Sequence, residues 1–227
     1  MRILPMGPPA PLLKRASDRL RRVLRPPQTA MEFMEAVVVA ERERRYASAV
    51  RLCERGLKHF PDDFYLLMKR LAQARAVSDR DLAEALLARA VQQCPETAAT
   101  LSSVGDEYAY LGHMETAESY FRRALNRTPR NSLVREKLAM SMVQQRRMDE
   151  GISELTAALD QDPGNAARRT LLAQTLLAAE RYGEVSALLE NCPDGSLSWE
   201  ALSCLSVAKA RLDGADEFAD AMMGEKA

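Results

Sequence analysis

The residues of this chain that could do chemistry are few and widely spaced. Its 227 residues include four cysteines and two histidines: Cys53, Cys94, Cys192, Cys204, His59 and His113. No two cysteines have the CxxC spacing of a zinc site, so we expect no metal. Isolated cysteines in a helical chain usually fill small buried positions, and a reducing, cytoplasmic setting is the default for them.

Sequence motifs of enzymes are also missing. The chain has no glycine-rich phosphate loop, no His-Glu-x-x-His and no Gly-x-Ser-x-Gly. Its acidic residues alternate with lysines and arginines, a pattern typical of solvated helix surfaces. We therefore expect a protein without catalytic activity and without a cofactor.

The N-terminus carries a concentration of positive charge. Residues 1–29 hold seven basic side chains and one acidic side chain, although the formal net charge of the chain is zero. In PLLKRASDRLRRVLRPP, residues 11–27, one helical face is aliphatic, and the basic side chains around it are Lys14, Arg15, Arg19, Arg21, Arg22 and Arg25. This segment could contact an anionic membrane or an acidic partner, act as a transit peptide, or form an extra helix docked on its neighbour. The balanced total charge argues against a nucleic-acid binder, and no apolar run has the length of a membrane span.

The elements that must position any binding residues recur at a fixed spacing along the chain. Small residues and prolines share a 34-residue period, at Ala49, Ala83 and Ala117 and at Pro61, Pro95, Pro129 and Pro163. A small residue lets two antiparallel helices approach closely, and a proline after the second helix ends it. One such hairpin cannot bury its apolar face alone, whereas a stack of them forms a continuous core. The pattern predicts an all-α array of helical hairpins with no sheet.

The clearest copy is TLSSVGDEYAYLGHMETAESYFRRALNRTPRN, residues 100–131. Its key positions are Leu101, Gly105, Tyr108, Ala117, Phe121, Ala124 and Pro129. This pattern resembles that of the tetratricopeptide repeat family, whose repeat is about 34 residues long. The resemblance covers 30–199 as five repeats, 30–63, 64–97, 98–131, 132–165 and 166–199, and it implies an α-solenoid with a right-handed superhelical shape.

The flanks of the array read as caps. Thr29 with Glu32 matches the capping box that starts a helix, after a basic, proline-rich segment at 1–29. Residues 200–227 are predicted as a C-terminal capping helix and tail, in which SWEALSCLSVAKARLDG forms a helix ended by Gly214. Pro193 comes early in the last repeat and predicts a shortened second helix there.

The resemblance also implies a concave groove that is lined by the first helices and binds peptides or protein segments. The 34-residue register places ten groove residues: Met34, Tyr65, Met68, Lys69, Ser102, Asp106, Tyr110, Glu136, Met140 and Gln144. The methionines and tyrosines could accept apolar or helical segments, or they could fill core between helices. Some family members bind the C-terminal carboxylate of a chaperone with a set of lysine and asparagine residues. This sequence lacks that set, so we do not expect co-chaperone function of that kind.

Two hypotheses follow. The leading one is a non-enzymatic scaffold or adaptor that binds a segment of a client protein, with a secretion- or assembly-type chaperone as its narrower form. The alternative is a peripheral tether or assembly factor that the basic segment holds at an anionic membrane or an acidic partner. Self-association is open under both, and nucleic acid is not expected under either.

Overall fold

The computed structural model describes residues 27–190, 192 and 197–224, with side chains described as far as residue 214. Eleven α-helices and no strand are found among these residues. The prediction of an all-α fold is therefore confirmed. The helices form two compact units, of which unit 1 ends at Gln93 and unit 2 begins at Cys94.

The helices follow one another in pairs. Unit 1 contains α1 (Ala30–Arg42), α2 (Tyr46–His59), α3 (Phe64–Ala76) and α4 (Arg80–Gln92). Unit 2 contains α5 (Ala98–Tyr110), α6 (Met114–Arg127), α7 (Ser132–Gln144), α8 (Met148–Asp160), α9 (Ala166–Ala178), α10 (Tyr182–Glu190) and α11 (Trp199–Gly224). The first helices α1, α3, α5, α7 and α9 keep the predicted 34-residue register, since they begin at Ala30, Phe64, Ala98, Ser132 and Ala166.

Every one of these first helices begins with the same kind of cap. The capping residues are Thr29, Asp63, Thr97, Asn131 and Asn165, and each side chain accepts a hydrogen bond from the backbone N–H three residues later. Such a bond satisfies an N–H that the first helical turn leaves unpaired and stabilises the helix by about 1 kcal/mol. At the predicted capping box, the N–H of Glu32 donates to Oγ1 of Thr29 at 3.2 Å.

The turn between the two helices of each pair holds one residue in the left-handed conformation. These residues are Arg44, Ser78, Gly112, Arg146 and Glu180, with φ between 58° and 89°. The N–H of the next residue donates to a carbonyl five residues back, as Arg147 does to Met142 at 3.0 Å. This bond satisfies a carbonyl at the end of the first helix. Only the turn at Gly112 has the residue type that this conformation favours, so the other four carry a conformational cost of about 1–2 kcal/mol each.

The helices of a pair approach closely where one of them has no side chain. On α5, a Cβ added to Gly105 would lie 2.6 Å from Cε1 of the Phe121 ring on α6, closer than real atoms pack. Phe121 is 1% exposed, and Ala117 one turn before it is fully buried. Gly151 at the start of α8 has a similar role, since a Cβ there would lie 2.5 Å from Val143 of α7.

The C-terminal helix α11 covers one end of the core of unit 2. Its Ala201, Cys204 and Ala208 are buried in a cluster that includes Leu176 and Val185. The helix runs from Trp199 to Gly224, so the prediction that Gly214 ends it is wrong. A glycine inside a helix costs only about 1 kcal/mol relative to alanine, and the good helix formers that follow Gly214 offset that cost. The helix before it, α10, spans nine residues, against 13 or 14 in the other second helices.

Two of the four cysteines are buried, as the sequence predicts for isolated cysteines. The Cys53 thiol donates to the carbonyl of Leu66 at 3.4 Å, and burial raises the pKa of this thiol to about 11. Cys204 is buried on the core side of α11, whereas Cys94 and Cys192 are only half-buried. All four are free thiols.

The left-handed turns allow a test with two opposite substitutions. A Cβ at Gly112 meets no atom within 4 Å, so Gly112→Ala should lower the free energy of unfolding by about 1 kcal/mol through backbone conformation alone. At the equivalent position, Arg146→Gly should raise that free energy by about 0.5 kcal/mol, because glycine removes the left-handed cost and adds a smaller entropic one. Urea unfolding curves measure both, and a change of the same sign in the two variants would contradict the argument.

The contact at Gly105 allows a second test. Gly105→Ala should destabilise unit 2 by about 1–3 kcal/mol, since its methyl group overlaps the Phe121 ring. The same substitution should cost clearly less in a Phe121→Leu background, as expected for residues in contact. As a control, Gly183→Ala on α10 introduces a methyl group with no neighbour within 4 Å and should not destabilise the protein. Equal effects of Gly105→Ala in the two backgrounds would show that the two residues do not pack together.

Candidate functional site

A recess of about 180 Å³ opens among α5, α6 and α7 of unit 2. The residues that define it are Asp106 of α5, Phe121 of α6, and Glu136, Lys137, Met140 and Gln144 of α7. Asp106, Glu136, Met140 and Gln144 belong to the predicted groove, so four of those ten residues lie together. The recess is smaller than the roughly 300–1,000 Å³ of typical small-molecule sites and has the size of a single side chain.

The inner wall of the recess is apolar. The buried ring of Phe121 and the half-buried Met140 form it, together with Met114 at the start of α6. Sequence reasoning missed Phe121 and Met114 because it took groove residues from the first helices only. The signal in the sequence was Gly105, whose missing side chain brings α6 close enough for the Phe121 ring to reach this face.

Ion pairs surround the apolar wall. The Lys137 ammonium donates to Oδ2 of Asp106 at 2.6 Å and to Oγ of Ser102 at 3.3 Å. Nε of Arg168 on α9 donates to Oε2 of Glu136 at 3.3 Å. These bonds join three consecutive first helices, α5, α7 and α9, within unit 2.

Each of the two carboxylates at the recess uses only one of its oxygens in these bonds. Among the described residues, Oδ1 of Asp106 and Oε1 of Glu136 accept no hydrogen bond from the protein. Their side chains are 39% and 29% exposed, so both carboxylates can be reached from solvent. The recess therefore has an apolar wall and hydrogen-bond acceptors at its rim.

The remaining predicted groove residues of unit 2 lie in other surroundings. Ser102 is only 7% exposed, so it supports Lys137 rather than offering an open surface. Tyr110, the last residue of α5, is 58% exposed and does not line the recess.

In unit 1, the first helices present a more apolar face. Tyr65 is 55% exposed and Met31 is 72% exposed, while Met34 and Met68 are half-buried. The Lys69 ammonium is paired with Glu41, since it lies 2.5 Å from Oε2 of that residue. The methionines and the tyrosine are therefore the main side chains of this face that are left for a partner to contact.

The basic side chains from Lys14 to Arg25, predicted as an anionic-surface contact, lie outside the described residues. Within the part of the chain that the structure describes, no helix combines the length and the apolar character needed to cross a lipid bilayer.

A buried glutamate holds α6 against the next hairpin, behind the recess. Glu118 is 9% exposed. Oε2 of its carboxylate accepts hydrogen bonds from Arg147 at 2.6 Å and from Gln145 at 3.0 Å, and Oε1 pairs with Arg122 at 2.9 Å. Burial acts to raise the pKa of the Glu118 carboxyl, but the hydrogen bonds from Gln145, Arg122 and Arg147 outweigh it and lower the pKa below its ordinary value.

Comparisons with known proteins agree with this architecture. Family models described as tetratricopeptide repeats match residues 105–166 and 142–194. None of the curated proteins matches the chain.

Several solved structures resemble it. One is YrrB, described as a tetratricopeptide repeat protein with an unusual peptide-binding site, at 15% identity and a TM-score of 0.61, with 84% of this chain and 95% of that chain covered. Another is the MamA protein, at 14% identity and a TM-score of 0.61, with coverage of 77% and 91%. A form of MamA from Desulfovibrio magneticus RS-1 has 15% identity and a TM-score of 0.59, with coverage of 75% and 100%. At these identities the likeness concerns the fold alone.

The contacts of Glu118 predict how stability depends on pH. Because the folded state lowers its pKa, the carboxylate stabilises the fold above its unfolded pKa, and that contribution is lost as the pH falls through the folded pKa. Glu118→Gln should therefore lower the free energy of unfolding by about 1–3 kcal/mol at pH 7, and the difference from wild type should shrink as the pH falls below the ordinary pKa of a glutamate.

Urea unfolding at several pH values measures this difference. The control is Asp160→Asn, which neutralises an exposed carboxylate at the end of α8 and should cause no loss. A difference between Glu118→Gln and wild type that stays constant down to pH 3 would contradict the assignment.

Proposed function

This chain is a tetratricopeptide repeat protein, as its sequence predicts, and we propose that it binds a peptide or helical segment of a client protein on the first-helix face of unit 2. The repeats make it a scaffold for protein–protein interaction. The observation that carries the finer proposal is the recess of about 180 Å³ among α5, α6 and α7. It is open to solvent, apolar inside and polar at its rim, which is the construction of a pocket that anchors one side chain of a partner.

The supports of the recess favour this role because they fix its walls. The Phe121 ring is held against Gly105, the Lys137 bonds connect α5 with α7, and Glu118 ties α6 to the next hairpin. A binding site on rigid elements holds a partner at a lower entropic cost than a site on loops. The recess therefore supplies an anchor, while the exposed remainder of the first helices supplies further contacts.

A secretion- or assembly-type chaperone is the narrower form of the proposal. The face of unit 1 supports it, since Met31 and Tyr65 are exposed on its first helices and Met34 and Met68 are half-buried. Methionine side chains are flexible and can repack around different apolar segments, which suits a protein that shields more than one sequence. The free thiols fit the cytoplasm as the place of this function.

Selection from a phage-displayed random peptide library tests the binding site. We expect the wild-type chain to enrich peptides whose affinity falls at least tenfold, or about 1.4 kcal/mol, in Gln144→Arg, because the larger cationic side chain fills and charges the rim of the recess. The control is Gln161→Arg, which makes the same change at another exposed glutamine of unit 2, at the end of α8. Peptides that bind wild type, Gln144→Arg and Gln161→Arg equally would show that the recess is not the site.

A further inference from the structure

The chemistry of the rim indicates which kind of side chain the recess binds. We propose that the recess binds one lysine or arginine side chain of the partner segment, an inference that rests on the proposed function and names the anchor residue at that same site. The open acceptors at the rim and the apolar residues of the wall support this choice.

The unused acceptors of the rim are open to a donor from a partner. Oδ1 of Asp106 and Oε1 of Glu136 accept no hydrogen bond from the described residues, and the Gln144 side chain adds an amide oxygen beside them. Ammonium and guanidinium groups carry only donors, three and five respectively, and are the natural partners for such a set. Bonds between a cation and a carboxylate are also about twice as strong as bonds between neutral groups.

The apolar wall suits the stem of a basic side chain. Lysine and arginine carry three or four methylene groups, which they bury along apolar surfaces while the charged head stays near water. Phe121, Met114 and Met140 offer such a surface below the carboxylates. A volume of about 180 Å³ accommodates one extended side chain of this kind and does not accommodate a folded element.

The cations near the recess already bond its carboxylates. Two carboxylates and one ammonium line the recess, a formal charge of −1, and the guanidinium of Arg168, which bonds Glu136 without lining the recess, balances that charge. The Lys137 ammonium already donates to Asp106 and Ser102, so it stays on the α5 side of the recess.

The other possible anchors fit less well. A purely apolar side chain would cover the two free carboxylate oxygens without giving them a donor, which is unfavourable for groups removed from water. An acidic side chain would meet two like charges at the rim and one lysine that is already paired.

The experiment uses the full-length chain and the tightest peptide from the phage-displayed library. Each basic residue of that peptide is replaced in turn by norleucine, which keeps the aliphatic stem and removes the charge, and by glutamate. At one position we expect norleucine to reduce the affinity at least tenfold and glutamate to reduce it further. This difference between the basic residue and norleucine should largely disappear in the double variant Asp106→Asn, Glu136→Gln.

Two controls separate the effect of charge from loss of structure. Asparagine and glutamine keep an oxygen that can accept from Lys137 and Arg168, and the affinity of the double variant for the norleucine peptide, compared with that of wild type, measures any loss of the structure of the recess. Asp160→Asn removes one carboxylate of unit 2 outside the recess and should keep the full preference for the basic residue.

The remaining outcomes are distinct. Peptides that depend on Gln144 but lose nothing when their basic residues become norleucine would overturn the cationic anchor and leave the proposed function standing. A preference for the basic residue that survives in the double variant would also overturn it. If no selected peptide is sensitive to Gln144→Arg, both proposals fail.

Discussion

The close approach of α5 to α6 at Gly105 is the contact on which the site in unit 2 depends. A glycine there lets the Phe121 ring lie where a Cβ would otherwise be, so the two helices come together around an aromatic side chain. The ring then has two functions at once. It is buried in the core at 1% exposure, and it is also one of the residues that line the recess. Packing within one hairpin thus supplies a wall of a recess that the next hairpin completes.

Under the proposed function, the charged residues around the recess are divided between support and recognition. Lys137 and Arg168 each bond one oxygen of a carboxylate and so connect successive first helices, while the second oxygen of each carboxylate accepts no hydrogen bond from the described residues. Exposed ion pairs contribute little to stability, but Arg168 is only 6% exposed and also bonds Asp162 at 3.2 Å. If the proposal holds, the carboxylates that connect the helices are also the ones that a partner contacts, which would link the rigidity of the recess to its specificity.

Much of the fold could be predicted because its local signals repeat. The spacing of Ala117 and Pro129 with their equivalents placed the helices, and the small residues marked the contacts between them. The left-handed turns at Arg44, Ser78, Arg146 and Glu180 could not be predicted, because their side chains do not favour that conformation and backbone hydrogen bonds impose it. Helix α11 continues past Gly214 because one unfavourable residue cannot outweigh the favourable ones around it.

The candidate site was only partly predictable for a related reason. Register along the chain identified Asp106, Glu136, Met140 and Gln144, since residues of first helices share one face. It could not show that Phe121 reaches that face or that Ser102 lies beneath Lys137, because both facts depend on the distance between helices. Whether Tyr65 and Tyr110 contact a partner stays a prediction.

Each hairpin from α1 to α10 begins after a capping position and contains its own left-handed turn, both in the same register. Neither the cap nor the turn depends on a residue of a neighbouring hairpin. A segment of one repeat length therefore contains its own helix-capping residue and its own left-handed turn. After an in-frame duplication or deletion of that length, every hairpin still has both. Such an array can lengthen or shorten by whole hairpins during evolution, with the family's geometry kept while the side chains on its surface diverge.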